Sequence, residues 1–125
     1  KGADDLRQLN VCDSVLQIDA TDPVAVHSSV ESATHGKMGD VVVNVVSVPD
    51  TEMGAILSAK ATGTVLFFGM ATSFTKVALG AEGVASGARL LFGNGYYPNH
   101  ADFAIALLRQ SGPLKELFFR RYSGV

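Results

Sequence analysis

Four short apolar runs recur along the chain, and stretches with helical spacing separate them. The runs span residues 14–18, 41–46, 64–68 and 88–92. The second and third, DVVVNVV and GTVLFFG, are almost continuously apolar, as is typical of parallel strands that are covered on both faces. Strands that alternate with helices indicate an α/β protein. The pattern therefore predicts parallel strands joined by helices.

Helix signals lie on both sides of the first run. Residues 3–9 have the character of a helix that precedes it. Asp22 and Pro23 are typical of a cap and a first helical position, and we expect a helix over residues 23–34. Gly36 is the expected left-handed residue that ends this helix.

The helices after the second and third runs are less regular. Asp50 is the expected cap of a helix that continues to about residue 61 and is followed by Gly63. Three glycines dilute any helix over residues 71–87, so a loop with one short helical stretch is expected there. Two further helices are predicted after the fourth run, over residues 101–110 and from Pro113 to residue 122.

Composition restricts the class of protein. The 125 residues are 47% hydrophobic and 18% charged, with a net charge of −2, which favours one globular domain over disorder or a nucleic-acid-binding surface. Cys12 cannot form an internal disulfide, so a reducing compartment, the cytoplasm, is expected. Apolar runs are far shorter than the ~20 residues that span a bilayer, so no membrane contact is expected. Because the chain begins at Lys1 rather than at a methionine, we expect residues 1–125 to be a fragment of a longer protein or a processed chain.

Ligands of an open parallel sheet bind beyond the carboxyl ends of the strands. Small and polar residues at all four predicted ends favour a ligand cleft there. The alternative is that Gly69, Gly93 and Gly95 only form tight turns. The four ends read Asp19, Ala20, Thr21; Val46, Ser47, Val48, Pro49; Gly69, Met70, Ala71, Thr72; and Gly93, Asn94, Gly95, Tyr96.

Several polar side chains near these ends have two possible roles. Asp19 can accept a hydrogen bond from an adenine amino group or a ribose hydroxyl, or it can stabilise the turn before the next helix. Asn44 lies within an apolar strand and either braces a neighbouring loop or reaches the cleft. Glu52 is expected to interact with a helix N-terminus, without a catalytic role. His100 either faces the cleft or begins the next helix.

The sequence lacks the motifs of a metal site and of a phosphate-binding loop. The histidines, His27, His35 and His100, have no metal-binding spacing and no nearby cysteine, so no metal site is expected. Neither GxGxxG nor GxxxxGK[ST] occurs, so the chain has no glycine-rich loop for a pyrophosphate.

The order of the segments DATD, DVVVNVVSVPDTEM, GTVLFFGMATSF and ADFAIALLRQSGPL resembles the latter part of the cofactor domain of medium-chain dehydrogenases, over about residues 3–122. Within that superfamily, VVVNVVSVPDTEMGAIL, FFGMATSFTKVALGAEGV and FGNGYYPNHADFA are most similar to the family that oxidises L-erythro-3,5-diaminohexanoate in lysine fermentation. This closer resemblance covers residues 40–103.

The resemblance implies a Rossmann-type dinucleotide-binding domain that lacks its first βαβ unit and its substrate domain. It implies NAD or NADP as cofactor, a small amino acid substrate that is deaminated to 5-amino-3-oxohexanoate and ammonia, and a homo-oligomeric full-length enzyme. Catalytic residues are not assigned. The implied cofactor contacts are Asp19, Ala20 and Thr21 by the adenine, Asn44, Val46 and Val48 by the nicotinamide ribose, and Gly69, Met70, Ala71, Gly93, Asn94 and Gly95 by the nicotinamide.

By this resemblance the first run would lie two strand positions away from the second, because the missing strands would separate them. We therefore expect a three-stranded parallel block of residues 41–46, 64–68 and 88–92. Residues 14–18 are expected either about two strand widths away, beyond direct pairing distance, or rearranged against the block. Two alternatives remain: an S-adenosylmethionine-dependent methyltransferase domain, and an interaction module. Contacts of such a module would be Tyr96, Tyr97, Phe118 and Phe119.

Overall fold

The computed structural model describes residues 2–93 and 95–124. Contacts divide the chain into two compact units: unit 1, Lys1–Gln17 with Tyr96–Val125, and unit 2, Ile18–Gly95. The elements in chain order are α1 (Gly2–Leu9), α2 (Pro23–Ala33), β1 (Gly39–Asn44), α3 (Glu52–Leu57), β2 (Ala59–Phe67), α4 (Phe74–Gly83), β3 (Arg89–Phe92), α5 (His100–Gln110) and α6 (Gly112–Tyr122).

Unit 2 contains a parallel sheet with the strand order β1-β2-β3. Val43 of β1 pairs with Leu66 of β2, and Leu66 pairs with Leu91 of β3. The register is irregular between Gly39 and Val41. This sheet confirms the predicted three-stranded parallel block and the α/β class.

The first apolar run does not form a strand. Residues 14–18 have no regular secondary structure, and Leu16 is half exposed. A strand is stable only where a neighbour pairs with its backbone amide and carbonyl groups, and among the described residues no strand lies beside this run. The prediction of a strand at residues 14–18 is therefore wrong, whereas the expectation that they do not pair with β1 is confirmed.

The core of unit 2 covers one face of the sheet. Val65 and Phe67 of β2 pack with Ile56 of α3 and with Val77 and Ala81 of α4. On the opposite face the side chains of β1 are exposed, with Val41 at 67% and Val43 at 52%. The continuous apolar run predicted cover on both faces, whereas the described residues cover only one.

The start of α2 follows its sequence signal closely. Asp22 Oδ1 accepts hydrogen bonds from the backbone amides of Val24 (3.1 Å) and Ala25 (3.0 Å), which confirms the predicted cap. At the other end His35, with φ +53°, takes the left-handed position that was expected of Gly36, and Gly36 follows at φ +78°.

The next helix is shorter than predicted. α3 ends at Leu57 because Ser58 already accepts a bond from the amide of Gly39 (2.8 Å), and β2 begins at Ala59. Gly63 therefore lies inside β2 rather than at a helix end. Asp50 does not cap α3 either; Thr51 occupies that position, and Asp50 has a φ of +68°.

A ten-residue helix, α4, replaces most of the predicted loop over residues 71–87. Ser73 caps it by accepting a bond from the amide of Lys76 (3.3 Å). Gly80 faces Met53 of α3, and a Cβ at residue 80 would overlap the Met53 sulfur. The glycine that weakens the helix signal thus permits close packing of α4 on α3.

Unit 1 consists of α1, α5 and α6, which confirms the helix before the first run and the two helices after the fourth. Ser111 joins the last two helices and caps α6 by accepting a bond from the Leu114 amide (3.3 Å). α1 contacts α6, where Arg120 lies 3.6 Å from Asp5. Nowhere in residues 2–93 and 95–124 is a helix long and apolar enough to cross a membrane.

Candidate functional site

The loops at the carboxyl edge of the sheet are joined to one another by backbone hydrogen bonds. The carbonyl of Asn44, at the end of β1, accepts bonds from the amides of Phe68 (2.8 Å) and Gly69 (3.1 Å). The Gly93 amide, after β3, donates to the carbonyl of Phe67 (2.9 Å). The three strand ends therefore lie side by side, as is expected at the ligand-binding edge of a parallel sheet.

Asn44 is buried, with 5% of its surface exposed, and its side chain braces the loop after β1. Its Nδ2 donates to Thr51 Oγ1 (3.1 Å) and to the Thr51 carbonyl (3.4 Å). Its Oδ1 accepts a bond from the Val46 amide (3.1 Å). Both amide hydrogens are thus used within the protein, which is the bracing role rather than a side-chain contact with a ligand.

Glu52 has a contact that the sequence does not reveal. Its side chain is only 2% exposed, and Oε1 accepts a bond of 2.7 Å from the backbone amide of Ser73. The position of Glu52 in the first turn of α3 agrees with the expected dipole interaction. The two residues are 21 positions apart, and no spacing motif connects them. Glu52 therefore links α3 to the loop that follows β2.

A second link lies at the surface, between the loop after β1 and helix α4. The Asp50 carboxylate pairs with the ammonium group of Lys76 on α4. The hydrogen bond and charge of Asp50 raise the pKa of Lys76, and the charge of Glu52 adds to the increase. The segments that follow β1 and β2 are thus held together by one buried contact and one exposed ion pair.

The glycines at two of the strand ends allow close packing of the protein itself. A Cβ at Gly69 would overlap the carbonyl oxygen of Val46, and a Cβ at Gly93 would overlap the ring of Phe68. A valine at residue 93 would therefore displace the ring of Phe68. Gly95 has a φ of +80° and no atom within 4 Å of its Cβ position, as the tight-turn alternative predicts. Asn94 lies outside the described residues.

Apolar side chains are exposed on the loops of this edge. Met70 is 98% exposed, Val46 and Val48 are partly exposed, and Ala71 is half-buried. Phe92, at the end of β3, stacks on other aromatic rings. Its ring centroid lies 5.5 Å from that of Phe67 and 4.9 Å from that of Phe74. Sequence reasoning did not single out these three rings, although two of them adjoin predicted strand ends.

Asp19, Ala20 and Thr21 do not follow a strand, since residues 14–18 form none. Asp19 Oδ1 accepts bonds from the Thr21 hydroxyl (2.7 Å) and the Thr21 amide (2.9 Å). These bonds lower the pKa of Asp19. The contact is the turn role that the sequence offered as one of two alternatives.

The remaining candidates lie in unit 1. His100 is the first residue of α5, its Nδ1 lies 2.7 Å from the Tyr97 carbonyl, and its ring meets that of Tyr96 edge-on. A cavity of about 620 Å³ is lined by Gly2, Asp5, Leu117, Arg120 and Arg121. Within the described part of the chain, no cluster of three His, Cys, Asp or Glu side chains could hold a metal ion.

A parallel sheet with helices on its covered face and with its strand ends side by side at one edge is a Rossmann-type α/β fold fragment. No protein-family model matches the chain. Two curated relatives are similar to it, and both are named L-erythro-3,5-diaminohexanoate dehydrogenase. The protein from Acetoanaerobium sticklandii is 41% identical over 117 residues, which are 94% of this chain and 34% of that protein. The protein from Fusobacterium nucleatum is 46% identical over 104 residues, which are 83% of this chain and 30% of that protein.

The chain thus spans about a third of the length of the curated relatives it matches. The sequence is homologous to a segment of these dehydrogenases, and this confirms the resemblance to the diaminohexanoate-oxidising family.

Proposed function

We propose that this chain is part of an NAD(P)-dependent dehydrogenase that deaminates L-erythro-3,5-diaminohexanoate oxidatively. The observation that carries the proposal is the similarity of nearly the whole chain to two proteins named for this reaction. The proposed cofactor-binding part is the carboxyl edge of the sheet, and the proposed enzyme is a homo-oligomer of the cytoplasm that acts in lysine degradation.

The residues at this edge fit a dinucleotide. Backbone bonds hold the loops after β1, β2 and β3 side by side, and the exposed side chains of Val46, Val48 and Met70 offer apolar surface to a flat ring. Residues 69–71 and 93–95 would contact the nicotinamide, and Val46 and Val48 its ribose. Asn44 would act through the loop that it braces, because its side-chain hydrogens are already used.

When bound, the nicotinamide would accept a hydride from C3 of the substrate. The balanced reaction converts the diamino acid, NAD(P)⁺ and water into 5-amino-3-oxohexanoate, ammonia, NAD(P)H and a proton. This chain would position the acceptor ring by backbone contacts and exclude water from one side of it. Contacts with the substrate and with the pyrophosphate are assigned to the rest of the longer protein, since no glycine-rich phosphate loop occurs here.

Absorbance at 340 nm tests the proposal on the longer protein that contains this chain. We expect reduction of NAD⁺ or NADP⁺ with L-erythro-3,5-diaminohexanoate and none with L-lysine, whose amino groups occupy other carbons. The rates with the two dinucleotides decide which one is the cofactor. An absence of NAD(P)H formation with the diamino acid would contradict the proposal.

A further inference from the structure

Glu52 carries a buried negative charge at the cofactor edge, and the proposed reaction does not use it. Its side chain is 2% exposed, and Oε1 lies 2.7 Å from the amide nitrogen of Ser73. A carboxylate is buried at an acceptable cost only where protein hydrogen bonds replace water. The bond to Ser73 therefore fixes the distant end of the loop over residues 68–73 relative to α3.

The near end of the same loop is fixed by a different group. The Asn44 carbonyl accepts bonds from the amides of Phe68 (2.8 Å) and Gly69 (3.1 Å). Between the two attachments Met70 is almost fully exposed. The loop is thus fastened on both sides of the residues proposed to contact the nicotinamide.

We propose that Glu52 is a positioning residue, which acts through the Ser73 amide to hold residues 69–71 in the conformation that binds the nicotinamide. The inference rests on the proposed function, because it assigns the cofactor to this edge. Glu52 acts as a hydrogen-bond acceptor and does not touch the cofactor. A glutamine in its place retains an acceptor oxygen at the same reach, whereas an alanine does not.

The test compares Glu52→Ala with Glu52→Gln in the longer protein, by steady-state kinetics and by NADH and NADPH fluorescence titration. We expect Glu52→Ala to raise the cofactor KM and the dissociation constant about ten- to a hundredfold, the effect of losing one buried hydrogen bond to a charged acceptor. The kcat and the KM for the diamino acid should change by less than about twofold, as for a loss of cofactor binding alone. Glu52→Gln should restore the wild-type cofactor KM and leave the pH profile unchanged.

Ser73→Ala is the matched control for a merely structural effect. It removes the hydroxyl that caps α4 but keeps the amide that donates to Glu52. We expect it to lower the melting temperature while the cofactor KM stays at the wild-type value. If Glu52→Ala does not fold, Glu52→Asp provides the comparison, since it shortens the side chain by one methylene and breaks the same bond.

Three results would overturn the inference, and they are distinguishable. If the wild-type protein binds NADH or NADPH and Glu52→Ala binds it equally well, Glu52 does not position the loop, and the proposed function stands. If the wild-type protein binds neither dinucleotide, the proposed function fails together with the inference. A cofactor KM in Glu52→Gln as high as in Glu52→Ala would also overturn it, because charge rather than the hydrogen bond would then be responsible.

Discussion

Several polar side chains of this protein accept hydrogen bonds from backbone amides. Asp22, Glu52 and Ser73 each accept a bond from an amide near a helix N-terminus, where four amides have no partner within the helix. Asp19 does the same in a turn. These four polar side chains thus stabilise the backbone.

The turn at Asp19 predicts a measurable shift of a carboxyl titration. The Thr21 hydroxyl and then the Thr21 amide lower the pKa of Asp19 from its ordinary value of 3.8. Thr21→Val removes the hydroxyl bond, so the pKa should rise towards 3.8, whereas Thr21→Ser should preserve the low value. NMR titration of the Asp19 carboxyl carbon measures both.

The lowered pKa of Asp19 also determines how this carboxylate changes the folding stability with pH. Because the pKa is lower in the folded state, this contribution is present above pH 3.8 and is lost as the pH falls through the folded-state pKa. An unchanged pKa in Thr21→Val would show that the hydroxyl does not act on the carboxylate.

The close approach of Gly69 to Val46 predicts that alanine at residue 69 and alanine at residue 83 have different effects on the free energy of unfolding. Gly69→Ala places a Cβ against the Val46 carbonyl, which belongs to the backbone and cannot rotate away. We expect a loss of about 1–3 kcal/mol in the free energy of unfolding. Gly83→Ala, with no atom within 4 Å of its Cβ position, should gain up to about 1 kcal/mol by reducing the freedom of the unfolded chain.

Urea denaturation with a common m-value measures both variants. A Gly69→Ala protein as stable as Gly83→Ala would mean that the loops after β1 and β2 can separate at little cost.

Among the elements, those with local signals were predictable from sequence. The continuous valines of β1 and the Asp22-Pro23 start of α2 predicted their elements closely. α4 was missed because Gly80 lowers helix propensity, and its compensating contact with Met53 is visible only after folding. The link from Glu52 to Ser73 was missed for the same reason, since its partner lies 21 residues away. Residues 14–18 have the composition of a strand, but among the described residues no strand lies beside them. Composition alone does not reveal whether a pairing strand is present.

The cap of α2 can be tested by substitution. Asp22→Ala removes the acceptor for the amides of Val24 and Ala25 and should cost about 1 kcal/mol of stability. Asp22→Asn keeps a side-chain oxygen in the same place and should cost much less. Thermal denaturation followed by circular dichroism compares the two. Equal melting temperatures for Asp22→Ala and the wild type would show that water satisfies these amides as well as Asp22 does.

For the whole molecule, burial is concentrated in unit 2. Within the described ranges, the helices of unit 1 carry no buried side chain, whereas the core around Val65 and Phe67 is closed. Helices of 8 to 11 residues are marginal in water without packing. Most of the stability of this chain therefore arises from the sheet and the two helices on its covered face.

Among residues 2–93 and 95–124 no strand pairs with the outer edge of β1, and the outer face of β1 is exposed, which predicts self-association of the 125-residue chain on its own. Val41 and Val43 are exposed beside backbone groups that β2 does not pair, and such edges favour association. We expect the apparent mass to rise with concentration, and Val43→Lys to reduce the effect. Leu79→Lys is the control, because Leu79 is 70% exposed on a helix rather than on the sheet.

Light scattering after gel filtration measures the mass of each variant. A wild-type chain that remains monomeric at all concentrations, or an equal effect of Leu79→Lys, would contradict a role of the β1 edge.

The Asn44 carbonyl serves as acceptor for two amides, and this couples the loop after β2 to the last residue of β1. Opening of the loop must break both bonds at once, and it then exposes the end of the sheet as well. In hydrogen exchange, the amides of Phe68 and Gly69 should therefore exchange together and at a rate close to that of the strand amides, rather than at the rate of an exposed loop. By this prediction, opening of the proposed nicotinamide loop is as rare as fraying of the sheet, and the conformation proposed to bind the nicotinamide is formed before binding.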